Sequence, residues 1–219
     1  MTRVRLWSIV LPLLVVNFVF SSLCWAKPQF LNTIADSRQV VHVHSISGNK
    51  GVLDYWEADE QGKWHQSSKR IAVNVGSNGA VSASSKQEGD GRTPQGLYAL
   101  GLAFGYEPLS GVKMPYKVLT ENDFWVDEPT SPAYNTLVNA KPKSGSYEVM
   151  RRSDHQYSLG VVVEYNTKPV VAYKGSAIFL HVCRSPTAAT AGCIAMDKET
   201  LRELLLWLEP EKKPLIMIE

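Results

Sequence analysis

A histidine and a cysteine twelve positions apart are the residues of this chain best suited to covalent chemistry. His181 follows a short apolar run, and Cys193 follows Gly192 shortly before a helical pattern. A thiol attacks as the thiolate, and a nearby imidazole is the usual base that removes its proton. A glycine lets the backbone turn sharply and leaves N–H groups free to stabilise an oxyanion. The segment therefore predicts a nucleophile, a base and an oxyanion hole in one loop.

The other cysteines leave one alternative open. Cys24 belongs to an N-terminal segment that we expect to be removed, so the mature chain keeps Cys183 and Cys193. These two residues permit one disulfide, either structural or regulatory. The glycine before Cys193 and the upstream histidine favour the nucleophile instead. Cys183 is then expected to be a small buried residue.

The N-terminus has the pattern of a secretory signal peptide. Two arginines precede an apolar run of about 15 residues, and small residues offer a cleavage point after Ala26. The run is short for a membrane span, although an uncleaved anchor stays an alternative. A lipoprotein would need a small residue before Cys24, where Leu23 stands. We predict that residues 1–26 direct export across the inner membrane, into the periplasm or cell envelope.

The mature chain is predicted to be electrically neutral and to form one domain. The chain has 23 basic and 21 acidic residues, and residues 1–26 contain Arg3 and Arg5 but no acidic residue. A nucleic-acid partner would require a concentrated positive patch, so none is expected. No internal repeat is visible. We assign residues 27–38 to a lead-in and residues 39–219 to a single catalytic domain.

Most of the mature chain reads as β-strands. Short β-branched and apolar runs alternate with turn residues, and the turn at Asn49 predicts a hairpin between the first two runs. The run before His181 is continuously apolar, which is typical of a buried strand. The predicted strands span residues 40–44, 52–57, 71–75, 96–100, 159–165, 177–182 and 215–218.

One helix follows the cysteine loop. Asp197 can cap its N-terminus, and Pro210 ends it. Leucines recur between these limits at the spacing of one buried helical stripe. The predicted fold class is therefore mostly β, a sandwich or barrel, with a few helices, one of them directly after the cysteine loop. The buried stripe consists of Leu201, Leu204, Leu205 and Leu208.

A long irregular span is a candidate for binding. Residues 105–146 are predicted to be irregular and carry five aromatic residues, including Tyr116, among five prolines. Loops of this length in a compact domain are usually functional, and this one could wall a groove for an extended peptide or glycan. His155 precedes a strand and is a second candidate for that groove. Residues 86–92 are glycine-rich and predict a surface turn.

The remaining histidines do not predict a metal site. His42 and His44 share a strand face, but no carboxylate or cysteine stands near them in sequence at ligand spacing. We therefore expect His42, His44 and His65 to be surface residues, and we predict no metal.

Two motifs together resemble those of a known family. The spacing from His181 to the sequence Thr-Ala-Gly-Cys at 190–193, and the sequence Arg-Thr-Pro-Gln-Gly-Leu-Tyr at 92–98, resemble the L,D-transpeptidase catalytic domain, also called YkuD. The runs Gly-Ser-Ala-Ile-Phe-Leu-His-Val and Asp-Phe-Trp-Val-Asp are similar to one branch of bacterial envelope proteins with this domain. The resemblance extends over about residues 39–219.

The resemblance implies a cysteine transpeptidase of peptidoglycan. Such enzymes attack the bond between the diamino acid and D-alanine of a stem tetrapeptide and pass the acyl group to an amine or to water. Carried over, Cys193 is the nucleophile, His181 the general base and acid, and Gly192 an oxyanion donor. The acceptor would be a second stem peptide or an envelope protein. A monomer without metal or organic cofactor is implied.

The chain departs from the family pattern beside the cysteine. The family commonly has histidine where this chain has Ala191, and arginine or asparagine where it has Ala195. Arg184 could supply positive charge for a substrate carboxylate, and Thr190 is a further candidate for substrate contact. The departures leave open an L,D-carboxypeptidase or hydrolase of the same bond and a non-catalytic peptidoglycan-binding module.

Two other cysteine enzyme classes fit less well. Papain-like enzymes have the cysteine before the histidine in the chain, which is the reverse of the order here. Sortase-like enzymes need an arginine by the thiol, and the arginine that follows Cys193 is Arg202, inside the predicted helix.

Overall fold

The structure is a computed structural model that describes residues 27–219 and consists mostly of β-strands. The predicted signal segment, residues 1–26, lies outside the described residues. The one α-helix of the described part, α1, spans Lys198–Trp207. The strands are β1 (Gln39–Ser47), β2 (Lys50–Ala58), β3 (Trp64–Gln66), β4 (Ile71–Asn74), β5 (Ala80–Ser82), β6 (Thr93–Gly105), β7 (Tyr116–Val118), β8 (Phe124–Val126), β9 (Thr136–Val138), β10 (Tyr147–Val149), β11 (Leu159–Val163), β12 (Phe179–Val182), β13 (Ile194–Met196) and β14 (Leu215–Ile218).

Eight of these strands close into a barrel, which confirms the predicted class. Neighbours around the ring are β1, β14, β6, β11, β12, β13, β4 and β2, and β2 pairs back to β1. Two of the pairings are parallel, β1 with β14 and β12 with β13, and the others are antiparallel. Closure satisfies the strand edges that an open sheet would expose.

The helix packs onto the barrel through its leucine stripe. Asp197 caps α1 by accepting hydrogen bonds from the N–H groups of Glu199 and Thr200, at 3.0 and 3.2 Å, as predicted. The four leucines of the stripe are fully buried in the same core as the barrel interior, and α1 packs against β11 and β12. None of the helices in residues 27–219 is long and apolar enough to cross a membrane.

A second core lies on the opposite face of β11 and β12. Side chains alternate between the two faces of a strand, so Leu180 enters the barrel core while Phe179 points outward. Phe179 meets Trp125 edge-on, with ring centroids 4.9 Å apart. Trp125 belongs to a small antiparallel sheet of β8, β9 and β10 that covers this face. Cys193 is buried in this second core.

Most of the predicted strands are confirmed, with one clear difference. The predicted hairpin is β1 and β2, and residues 215–218 form β14. The strand predicted at 96–100 extends to 13 residues as β6, because it pairs with four different strands along its length. The span 105–146, predicted to be irregular, contains β7, β8 and β9. These three strands have three residues each, which is too short to show a strand period in a sequence rich in proline.

The expectation of surface positions is wrong for two polar residues. His42 is only 5% exposed, because its side chain lies under the lead-in segment, where it meets the Phe30 ring edge-on at 4.8 Å. Lys86, in the segment predicted to be a surface turn, is 2% exposed and forms a 2.8 Å ion pair with Asp90. His65 is exposed, as expected.

Candidate active site

Pairing of β12 with β13 brings the predicted base and nucleophile to one cavity. His181 is in register with Ala195, two residues after Cys193. His181 and Phe179 share the outward face of β12, and the Cys193 thiol lies beside Phe179 on that face. Both His181 and Cys193 line a cavity of about 270 Å³.

The thiol is held by backbone groups at the start of β12 and just before it. Its sulfur accepts a hydrogen bond from the N–H of Phe179 at 3.4 Å and donates one to the carbonyl oxygen of Ala177 at 3.1 Å. The Ala177 N–H in turn donates to the side-chain oxygen of Asn135 at 3.0 Å. Asn135 is buried and also accepts from the Trp125 indole at 2.9 Å. The covering sheet therefore fixes the strand that orients the sulfur.

Both reacting groups are neutral in the resting protein. Burial, together with the nearby charge of Glu148, raises the pKa of Cys193 to about 12. Burial lowers the pKa of His181 to about 4, even though a hydrogen bond to Val182 opposes the shift. Both shifts disfavour the charged form in a low-dielectric environment. The resting pair is thus a thiol and an uncharged imidazole, and not a thiolate–imidazolium pair.

The ring of His181 is oriented by its neighbours. Its Nδ1 lies 2.9 Å from the carbonyl oxygen of Val182, which can only accept. Nδ1 therefore carries the proton in the neutral ring, and Nε2 keeps the lone pair that a general base needs. Tyr157 packs edge-on against the ring at 5.3 Å, and its hydroxyl donates to Glu148. This contact holds the ring from the side.

The loop before the thiol is held by side-chain hydrogen bonds of Thr190. Thr190 Oγ1 donates to the carbonyl oxygen of Cys193 at 2.6 Å and accepts from the Gly192 N–H at 3.2 Å. Gly192 has a φ of +148°, and a Cβ there would lie 2.9 Å from the backbone oxygen of Arg92. Only glycine fits this approach without displacing the loop.

The Thr-Pro motif identified in the sequence touches the same loop. Thr93 is fully buried, and its hydroxyl accepts from the Gly76 N–H at 2.9 Å while lying 3.5 Å from the carbonyl oxygen of Cys193. Gly76 also forms an isolated bridge with Thr190. The two motifs, far apart in sequence, are therefore one physical unit around the cysteine.

The cavity wall carries charges of both signs. Arg152 lies on it, makes two hydrogen bonds with Asp154 at 2.6 and 2.9 Å, and stacks over the Tyr157 ring at 5.2 Å. Arg184 is an exposed cation of the wall. Glu148 is the acidic group of the wall, and burial together with the charges of nearby carboxylates raises its pKa. Ligands with both positive and negative groups match this lining.

The sequence-predicted binding residues fall into two places. Arg184 and Thr190 line the cavity of Cys193. His155 and Tyr116 do not; they line a separate cavity of about 500 Å³ beside α1. The hydroxyl of Tyr116 donates to the backbone oxygen of Glu107 at 2.8 Å, which gives it a structural contact there. His155 and Tyr116 therefore do not line the cavity of the thiol, and their part in substrate binding stays a prediction.

The second cysteine is not bridged to the first. Cys183 and Cys193 are both free thiols. Cys183 is half-buried, and its N–H bonds to the carbonyl oxygen of Met196 at 2.8 Å. Burial raises its pKa as well.

Sequence reasoning missed several residues around the thiol. Glu148, Arg152 and Tyr157 lie on the wall, and Asn135 lies behind it. They lie in loops and in a short strand, and their spacing in the sequence matches no catalytic motif. The sequence Tyr-Asn at 134–135, inside the aromatic and proline-rich span, was the one available signal for Asn135.

The fold and this site define the class of protein. The family model described as the L,D-transpeptidase catalytic domain, YkuD, matches residues 45–217. The chain therefore belongs to the L,D-transpeptidase family, whose members act on peptidoglycan peptides. Among curated proteins, no significant match to the chain was found.

Replacement of Thr93 by valine tests whether the Thr-Pro motif supports the cysteine loop. Thr93→Val keeps the shape but leaves the buried Gly76 N–H without its acceptor, a loss of about 1–3 kcal/mol. We expect the Tm to fall by roughly 2–10 °C in calorimetry. Thr93→Ser, which keeps the hydroxyl, should retain most of the stability. Equal losses in both variants would contradict the role of the hydroxyl.

Alkylation kinetics test the neutral state of the thiol. Because the pKa of Cys193 is about 12, its reaction with iodoacetamide should be slow near pH 7 and rise about tenfold per pH unit up to about pH 9. The rate is followed by intact mass in a Cys183→Ala chain without residues 1–26, which contain Cys24, so that only Cys193 is counted. A rate that already reaches a plateau below about pH 8 would show an activated thiolate instead.

Proposed function

We propose that the protein is a cysteine-dependent peptidoglycan L,D-transpeptidase that acts on stem tetrapeptides through an acyl-enzyme at Cys193. In this proposal, the protein acts in the periplasm or cell envelope as a monomer, and stem peptides are its acyl donors. The observation that carries it is the shared cavity of the Cys193 thiol and the uncharged His181 ring, in the loop that both family motifs surround.

In the acylation step, a donor carbonyl carbon occupies the cavity next to Sγ. His181 Nε2 removes the thiol proton as Sγ forms a bond to that carbon, so the thiolate is generated only as it reacts. The carbonyl oxygen becomes an oxyanion that accepts from the Cys193 and Gly192 N–H groups. The Gly192 N–H must then leave Thr190 Oγ1, a 3.2 Å contact that is long and readily exchanged.

Collapse of this intermediate releases D-alanine. The C–N bond breaks, and the imidazolium returns its proton to the leaving amine, which leaves a thioester on Cys193. An acceptor amine then loses a proton to His181 and attacks the thioester carbon. The C–S bond breaks, Sγ regains a proton, and the new amide is released. If water replaces the amine, the same steps give hydrolysis.

The charges on the wall support a peptide with free ammonium and carboxylate groups. Arg152 and Arg184 offer guanidinium donors that suit a carboxylate such as the D-alanine terminus. Glu148 offers an acceptor for an ammonium group such as the side chain of the diamino acid. The two signs in one cavity favour this substrate class over a neutral glycan.

Hydrolysis of the same bond is the second candidate, and Ala191 favours it. Ala191 is exposed and lines the cavity where the family commonly has a histidine, while Ala195 is buried in β13. A methyl group at 191 offers no hydrogen bond to an acceptor and leaves room for water. The protein would then act as an L,D-carboxypeptidase.

Labelling with a carbapenem tests the nucleophile and the base. Intact mass of the wild-type chain under reducing conditions should show one adduct, which Cys193→Ala abolishes. His181→Ala should slow acylation by at least about 100-fold, because the general base is lost. His65→Ala, at an exposed site, is the matched control and should react at the wild-type rate. Absence of a wild-type adduct would favour a non-catalytic binding module.

Product analysis separates transfer from hydrolysis. Purified protein is incubated with disaccharide-tetrapeptide, and the products are identified by mass. We expect cross-linked dimers with loss of one D-alanine per bond, and none with Cys193→Ala. Tripeptide monomers without dimers would establish the hydrolase instead. Ala191→His should then raise the ratio of dimer to tripeptide if the missing histidine is what limits the acceptor.

A further inference from the structure

A second cluster of chemically active side chains lies on the outer face of the β1–β2 hairpin. His42 pairs in register with Asp54 across the two strands, and His44 lies two residues further along the same face. His44 Nε2 is 3.1 Å from Asp54 Oδ2, and His42 Nδ1 is 3.6 Å from Asp54 Oδ1. The three ligand atoms all lie within 4.8 Å of one another.

One atom of this cluster has no hydrogen-bond partner. Within residues 27–219, His42 Nδ1 has no hydrogen-bond partner. Water does not replace that partner, because the His42 side chain is only 6% exposed. The other ring nitrogen, Nε2, lies 2.9 Å from the Glu219 carboxylate, which only accepts, so Nε2 carries the proton of the neutral ring. Nδ1 therefore presents a lone pair toward a carboxylate oxygen. Two such atoms face each other favourably when a cation lies between them, either a proton on the ring or a metal ion held by both.

The outer nitrogens of both imidazoles are already held. Glu219 binds His42 Nε2, and the Ser45 hydroxyl lies 3.0 Å from His44 Nδ1. Partners of this kind fix the ring and the tautomer of metal-binding histidines. Asp54 is held as well, since its Oδ1 accepts from the Trp56 indole at 2.6 Å. The three inner atoms thus lie in one small cluster. The His42 and His44 rings stack with centroids 4.5 Å apart and 22° between their planes, so one ring must tilt for both to bind the same ion.

We propose that His42, His44 and Asp54 bind a zinc ion on this hairpin, with Glu219 orienting His42. Two imidazole nitrogens and one carboxylate oxygen are a donor set that zinc accepts, and a fourth position stays open for water. Ligand atoms around zinc are about 3.4 Å apart, so a separation of up to 4.8 Å must contract by as much as about 1.4 Å. A bulge in β1 after His44, with Ser45 at a φ of +53°, gives the strand room to adjust.

The zinc site is separate from the acyl-transfer chemistry. None of its three ligands lines the cavity of Cys193. Instead the ion would join β1 to β2. The contact of His42 with Glu219, which directly follows β14, would connect the site to that strand as well. The inference does not depend on the proposed function and is tested by binding and stability.

Zinc titration of the purified chain, stripped of metal with a chelator, tests the site. Calorimetry should give one zinc per chain. The Tm should rise by roughly 5–10 °C when zinc is at about 100 times its Kd. His44→Gln removes one ligand and should weaken binding at least tenfold. His65→Gln, which disrupts the exposed 2.9 Å pair with Asp59, is the matched control and should bind zinc as the wild type does.

Two further variants keep the test decisive. Cys183→Ala combined with Cys193→Ala removes the thiols and should leave zinc binding unchanged. Glu219→Gln, at an exposed side chain, should weaken binding by about tenfold through the loss of the orienting carboxylate, and it decides the question if His44→Gln fails to fold. The proposal would be overturned if zinc did not raise the Tm, or if His44→Gln and Glu219→Gln bound zinc with wild-type affinity. Loss of zinc binding in the double cysteine variant would overturn it as well.

Discussion

Two neighbouring parallel strands cannot be joined by a tight turn, so the chain between β12 and β13 must leave the sheet and return to it. In this protein residues 183–193 make that return, and Cys193 is the last residue before the chain re-enters the sheet as β13. The register of the pair then decides that Cys193 lies beside Phe179 and on the face of His181. The covering sheet, the Asn135 contacts and the two threonines all act on this one connection.

Burial gives the site its chemical character. The hydrophobic face that positions Cys193 also excludes the water that would stabilise a thiolate, so the thiol stays protonated. The same burial keeps His181 unprotonated and able to accept that proton. Under the proposed mechanism, the thiol loses its proton only as it attacks a bound substrate. In an oxidising compartment this arrangement also protects an unpaired thiol from adventitious oxidation, which proceeds through the thiolate.

The elements of the barrel that are periodic in sequence could be predicted, and those that depend on long-range contacts could not. The leucine stripe of α1, its Asp197 cap and the β1–β2 hairpin all rest on local patterns that the structure keeps. The parallel pairing of β1 with β14 joins residues far apart in the chain and leaves no local signal. Strands of three residues such as β8 looked irregular for another reason, because they are too short to show a strand period.

The residues of the site also differ in whether a local sequence pattern indicates them. The spacing of His181 and Cys193 and the glycine between loop and strand are local, so the sequence indicates them. Glu148 and Tyr157 reach the cavity by tertiary packing. The sequence shows no carboxylate beside His42, because only the antiparallel register of β1 and β2 places Asp54 opposite it.

The position of β14 in the ring has a consequence for how the protein is made. This strand lies between β1 and β6, yet it is synthesised after every other strand of the barrel. A chain that emerges in order from its N-terminus therefore carries an open barrel, with the edges of β1 and β6 unpaired, until residues 215–218 appear. Closure of the barrel therefore depends on contacts of long sequence separation, which form more slowly than local ones such as the β1–β2 hairpin.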